Sequence, residues 1–165
     1  AVALAKAGYD LAITARSLEE GEQHEHGTWA SDTRPLPGSL RTTQTQVEAI
    51  GASCLCLRSD ILDPDSVSVA VDTALDTFGR IDLLFNNACY QGPGNQQRLL
   101  EVSAAQLTAI YQGNVLTPLL TVQRVLPGML ERGRGVIINR PCLECHVQGL
   151  VKRAHKLNGN QDQAF

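Results

Sequence analysis

Short apolar runs alternate with longer stretches of helical period along this chain. Leu11-Ala12-Ile13-Thr14-Ala15, Cys54-Leu55-Cys56-Leu57, Ile81 to Phe85 and Gly135-Val136-Ile137-Ile138-Asn139 are nearly continuous in apolar character. Runs of this kind, unlike alternating ones, suit strands covered on both faces, as in a parallel sheet. Between them lie helices. Ala1 to Ala7 reads as a helix end closed by Gly8, and Leu40 to Ile50 as a helix closed by Gly51. Glycine reaches the left-handed cap conformation without steric cost. Asp63-Pro64 supplies an N-cap and a proline tolerated at the first helical position; Val67, Val71, Ala74, Leu75 and Phe78 then share one face up to Gly79. Ser103 can cap a long helix towards Arg132, which Pro118 and Pro127 should kink or divide. From Ser17 to Ser39 no period survives, which predicts a long loop anchored by Pro35-Leu36-Pro37-Gly38.

Helix and strand alternate throughout, which implies right-handed βαβ crossovers and an α/β fold, a doubly wound parallel sheet. The pattern stops after Asn139. In the 140–165 tail Arg140, Lys152, Arg153 and Lys156 against Glu144 and Asp162 give 4 − 2 = +2, and neither period is present. We therefore divide the chain into a domain over 1–139 and an irregular tail over 140–165. There is no internal repeat.

Composition narrows the classes. At 165 residues, 43% hydrophobic and 19% charged, the chain can build one core. A net charge of -3 offers no basic field for nucleic acid. No run approaches the roughly 18 apolar residues of a membrane helix, so a cytoplasmic setting is expected. The opening AVALAKAGYD lacks the features of a secretory signal and starts inside an element. Five cysteines, an odd number, read as reduced thiols, and the Cys54/Cys56 pair as core residues on one strand face rather than a metal pair.

In sheets of this class ligands bind beyond the carboxyl ends of the strands. Three predicted strand ends carry suggestive groups: Arg16 after the first, Asp60 after the second, and Asn86-Asn87-Ala88 after the third. Each alone has an ordinary structural reading, as a solvated cation, a turn or cap residue, and a turn. Together they suggest one rim.

The motifs TARS at 14 to 17, SDILD at 59 to 63, FGRIDLLFNNA at 78 to 88, GNVLTP at 113 to 118 and LPGMLERGRGVIIN at 126 to 139 resemble the short-chain dehydrogenase/reductase family in order and spacing. The resemblance covers 1–139 and implies a partial dinucleotide-binding domain of Rossmann-like type, lacking the first strand and the C-terminal strands. It implies NADP as cofactor, with NAD the alternative, and hydride transfer to or from a small carbonyl or alcohol substrate. Asp60 would accept from the adenine amino group with the Ile61 backbone beside it. Asn86, Asn87 and Ala88 match the family's N-N-A-G, with Cys89 in place of the glycine. Arg16 stands where NADPH-preferring members hold the 2′-phosphate. Asn114 matches the helix asparagine of the proton relay, and Cys142 occupies the slot of the catalytic serine.

Other parts of the pattern are missing. No Tyr-x-x-x-Lys occurs, since Ile13, Gly94 and Val115 stand four residues after Tyr9, Tyr90 and Tyr111. T-G-x-x-x-G-x-G is also absent. The expectation is a fragment truncated at both ends, inactive alone, holding no cofactor firmly, and unstable because internal sheet edges lack a partner. The intact parent would be a homo-oligomer. The alternative is a non-catalytic partner of a full-length homologue, pairing through the 103–132 helix. Cys142-Leu143-Glu144-Cys145-His146 spells the C-x-x-C-H of c-type haem attachment, and with His155 offers zinc donors. We read it as coincidence within an aberrant tail. Met129 is expected on the outside of a helix end.

Overall fold

The computed structural model describes residues 1–27 and 32–140. Its elements follow the predicted order: α1 (Val2–Lys6), β1 (Leu11–Ala15), α2 (Leu40–Glu48), β2 (Cys54–Arg58), α3 (Pro64–Phe78), β3 (Leu83–Asn86), a 3-10 turn (Leu99–Glu101), α4 (Ala104–Tyr111), a π-helical segment (Gln112–Leu116), α5 (Thr117–Glu131) and β4 (Val136–Asn139). The local chemistry explains the boundaries. Ser39 accepts from the Thr42 N–H and Asp63 from the N–H groups of Asp65 and Ser66, each replacing a bond that the first helical turn cannot make internally. Gly79 ends α3 in the left-handed region at φ 74. Ser103 and Gln106 form a reciprocal capping box at the start of α4.

The strands form two parallel pairs rather than one continuous sheet. β1 pairs with β2 in the register Leu11↔Cys54 to Ala15↔Arg58, and β3 with β4 from Leu83↔Val136 to Asn86↔Asn139. Each pair has its own core. Ala5, Leu11, Val47 and Cys54 join α1 and α2 to the first pair, with Val47 fully buried. Val71, Val125 and Met129 join α3 and α5 to the second, packed by Leu84 and Ile137. The helices therefore lie on opposite faces, the doubly wound arrangement, in an incomplete sheet.

Two expectations need correction. Coverage on both faces does not hold for every strand: Ala12 and Thr14 of β1 are exposed, as are Phe85, Val136 and Ile138 of the second pair. β2 packs against both α2 and α3. Met129 is not on the outside of its helix end but 4% exposed, closed over by Gly135, where a Cβ would stand 2.4 Å from its sulfur. A thioether fills such an irregular gap well. Cys54 is likewise a core residue, its thiol pushed up to about 11 chiefly by burial. Among the described residues no helix is long and apolar enough to cross a membrane.

Candidate functional site

The parallel register brings the carboxyl ends of β1 and β2 together. Ala15 and Arg58 are partners, and the Ser59 N–H donates to the Ala15 carbonyl at 3.0 Å, so Arg16 and Asp60 leave adjacent strand ends. The Asp60 loop is held by its own polar groups. The Leu62 N–H donates to Asp60 Oδ1 at 2.9 Å, and Ser66 Oγ accepts from the Asp60 N–H at 3.0 Å. Arg16 donates once, from Nη1 to the Glu25 carbonyl at 3.0 Å. Among the described residues the rest of its guanidinium donates to no acceptor.

The third strand end belongs to the second pair. Asn86 Nδ2 donates to Asn139 Oδ1 at 2.8 Å, tying the ends of β3 and β4. Arg140 Nη1 donates to Asn87 Oδ1 at 3.3 Å. Four residues beyond Asn86 stands the half-buried Tyr90. Burial raises its phenol pKa, the charges of Glu25 and Asp60 add to the rise, and that of Arg16 opposes it. Arg16, Asp60 and the segment after β3 therefore share one electrostatic environment. Ala88 belongs to that segment, between Asn87 and Cys89.

Asn114 fixes this segment from the helix side. Its Oδ1 accepts from the Tyr90 N–H at 2.7 Å, and its Nδ2 donates to the Tyr90 carbonyl at 3.1 Å. The π-helical turn that carries Asn114 is what allows the approach. A Cβ at Gly113 would stand 2.8 Å from Tyr90 Cβ and 3.3 Å from Ile61 Cδ1. Thr117 Oγ1, itself accepting from Gln112, donates to the Ile61 carbonyl at 2.7 Å. The helix thus binds both the Ile61 loop and the Tyr90 loop. Single π turns recur at functional sites because they free or re-aim backbone groups.

Sequence reasoning missed the contribution of the 17–39 loop. Glu22 is its hub, accepting from the N–H groups of Leu18 and Glu19 and from both terminal nitrogens of Arg58, at 2.6 and 2.8 Å. The Arg58 fork and the Glu19 N–H hold its carboxyl at about 2. Arg34 forks onto Asp32, and His26 Nε2 meets the Arg34 carbonyl at 2.8 Å. Together Arg16, Ser17, Glu22, His24, His26, Arg34 and Leu36 line a small cleft of about 30 Å³ at the end of β1. The charge density of residues 19 to 34 was the available signal. Cys142, Cys145, His146 and His155 lie outside the described residues.

The comparisons agree with this architecture. A family model described as short chain dehydrogenase matches residues 33–152, past Asn139. The 1-deoxy-11-beta-hydroxypentalenate dehydrogenase of Streptomyces arenae is 30% identical over 161 residues, 97% of this chain and 55% of that protein. A metagenomic short-chain oxidoreductase in complex with NADP superposes with TM-score 0.67 at 24% identity, over 84% of this chain and 53% of its own. Carveol dehydrogenase from Mycobacterium avium, in complex with NAD, gives TM-score 0.64 at 22% identity, over 84% and 48%. The chain spans about half the length of the curated relatives it matches.

Proposed function

This chain belongs to the short-chain dehydrogenase/reductase family of oxidoreductases, and we propose that it is the nucleotide-binding half of an NAD(P)-dependent enzyme acting on a small carbonyl or alcohol. The observation that carries the reading is the adjacency of Arg16 and Asp60 at the ends of two parallel strands, with the Tyr90 segment held opposite them. The donor set fits an adenosine dinucleotide. Asp60 keeps an oxygen beyond the one bonded to Leu62, able to accept from an exocyclic amino group. Arg16 keeps the greater part of its fork, which suits a phosphate monoester and favours NADP over NAD. The Ile61 backbone, Asn86, Asn87 and Ala88 would flank the adenosine. Bound nicotinamide supplies or accepts the hydride.

The chain's own residues position rather than react. Asn114 spends one amide oxygen and one N–H on Tyr90, so its side chain acts by fixing the loop. General acid catalysis on a carbonyl oxygen needs a positioned proton donor. Tyr-x-x-x-Lys does not occur in these 165 residues, and the role of Cys142 in the serine slot is part of the proposal only as a weak thiol donor. We therefore expect nucleotide binding without turnover. The test is fluorescence titration of the 165-residue chain with NADPH and NADH. Asp60→Ala should weaken both ligands, whereas Arg16→Ala should weaken NADPH about tenfold or more and leave NADH unchanged. Binding of neither by the unsubstituted chain would sink the reading.

A second reading has its own support. Leu107, Tyr111, Val115 and Leu119 are 61%, 55%, 48% and 49% exposed, at four-residue spacing along α4, the π turn and α5. Such a stripe fits pairing with a second family chain through this helix. Tyr111→Glu should abolish co-purification with an intact relative while leaving nucleotide binding in place.

A further inference from the structure

Gln112, Thr117 and Asp60 come from the π-helical segment, the start of α5 and the loop after β2, yet hydrogen bonds join them through a single peptide group. The Thr117 hydroxyl is the joint. Its oxygen accepts from Gln112 Nε2 at 2.9 Å and donates to the Ile61 carbonyl at 2.7 Å. Because Gln112 meets it with an N–H, the one hydroxyl proton is kept for Ile61. Thr117 is 2% exposed, so water does not compete for either bond.

The Ile61 carbonyl and the Leu62 N–H belong to one planar unit. That N–H donates to Asp60 Oδ1 at 2.9 Å, so Thr117 and Asp60 grip the two ends of the same peptide. It is also the central peptide of a turn, which the Asp63 N–H closes on the Asp60 carbonyl at 2.9 Å. Between turn types I and II the central peptide rotates by about half a revolution. Such a rotation would break both bonds at once. Asp60 Oδ2 has no partner among the described residues, so the carboxylate presents one free oxygen whose direction depends on that peptide.

We propose that Thr117, directed by Gln112, is a positioning residue for base recognition: it locks the Ile61–Leu62 peptide and so aims Asp60 Oδ2 at the exocyclic amino group of adenine. The inference rests on the nucleotide-binding reading above and adds a determinant of base selectivity that touches no ligand. A carboxylate accepts hydrogen bonds and does not donate them. Hypoxanthine, which carries a carbonyl oxygen in place of the amino group, therefore meets an acceptor with an acceptor. Selectivity then depends on how firmly the carboxylate is held. A loosened one turns away from the wrong base at little cost, and it gives up part of its bond to the right one in being ordered.

The experiment titrates the 165-residue chain with NADPH and with its hypoxanthine analogue, deamino-NADPH, by fluorescence. The unsubstituted chain should prefer NADPH about tenfold or more, the size of one hydrogen bond to a charged group. Thr117→Val keeps the shape and removes the hydroxyl; the preference should fall to about threefold or less while binding of the analogue stays within about twofold. Thr117→Ser returns the hydroxyl and should restore the preference. If valine disturbs the fold, Gln112→Glu makes the same test, because an acceptor in place of the amide draws the Thr117 proton away from Ile61, and the preference should fall in the same way. Equal weakening of both ligands, or a preference that survives both Thr117→Val and Gln112→Glu, would overturn this inference and leave the nucleotide-binding reading intact. Equal binding of the two ligands by the unsubstituted chain would overturn the contact of Asp60 with the amino group, and the role of Thr117 with it. Binding of neither would overturn both readings together.

Discussion

At the residue scale the site depends on one amide and one missing side chain. Asn114 satisfies both backbone groups of Tyr90, and Gly113 gives the space in which the two loops meet the helix. Removing the amide takes away the acceptor of the part-buried Tyr90 N–H, while the carbonyl keeps the bond from Asn95 Nδ2 at 3.2 Å. Asn114→Ala should therefore cost about 2 kcal/mol, with Asn114→Asp recovering only the bond from the Tyr90 N–H. Gly113→Ala should cost about 1–3 kcal/mol, because the new methyl meets Tyr90 near its backbone rather than at a flexible tip. Denaturant melts of the two variants check both values. Glu22 gives a pH prediction. Its folded pKa of about 2 lies below the ordinary 4.5, so its contribution is present above pH 4.5 and is lost as pH falls towards 2. Hydrogen exchange in the 17–27 segment should rise over that window, and Glu22→Gln should remove the dependence. The identity of Asn114 was legible in the sequence, but its partner was not, since the two lie 24 residues apart and no pattern marks a backbone acceptor.

At the element scale the sequence was most informative where one local signal fixes the outcome. Asp63-Pro64 and Ser103 each start a helix and Gly79 ends one, through a hydrogen bond or a dihedral confined to a few neighbours, and all three act as expected. The long helix was the harder case. Two prolines predicted a kink or break, and the irregularity at Gln112–Leu116 lies directly before Pro118. Pro118 continues an unbroken helical backbone, has no N–H to donate, and its ring crowds the carbonyl four residues back, at Asn114 within the π segment. Pro127 sits inside α5 without dividing it, because Val125 and Met129 on either side are anchored in the second core. Packing therefore outweighs a local penalty there. Pro127→Ala should restore a backbone bond and raise stability by roughly 1–3 kcal/mol, read as a higher denaturation midpoint. A lower midpoint would mean that the proline shapes the α5–β4 connection. The loop at 17–39 was legible as a loop only. Its Glu22–Arg58 and Glu20–Gly38 links span 36 and 18 residues, and aperiodic sequence does not encode such distant pairs.

At the scale of the molecule the consequence of the fold is an unfinished sheet. Order and direction of the strands were legible because apolar runs and crossover handedness leave few topologies. Coverage was not, since it depends on which helices reach which face. Two-stranded pairs are marginal by themselves, and each pair here leaves backbone groups without a strand partner among the described residues. The second pair also presents Phe85, Val136 and Ile138 at 47%, 47% and 42% exposure, a contiguous apolar face opposite the helices. We therefore expect the purified 165-residue chain to associate beyond a dimer, measured by light scattering. A monomeric or dimeric species would refute this. The edge and the face can be separated as causes. Ile138→Lys places a charge on the apolar face without touching the core residue Ile137 or the ladder bonds of β4. If the face drives association, the substitution should lower scattering several-fold. If the unpaired edges drive it, scattering should persist, because a side chain normal to the sheet leaves the edge N–H and carbonyl groups open to another strand.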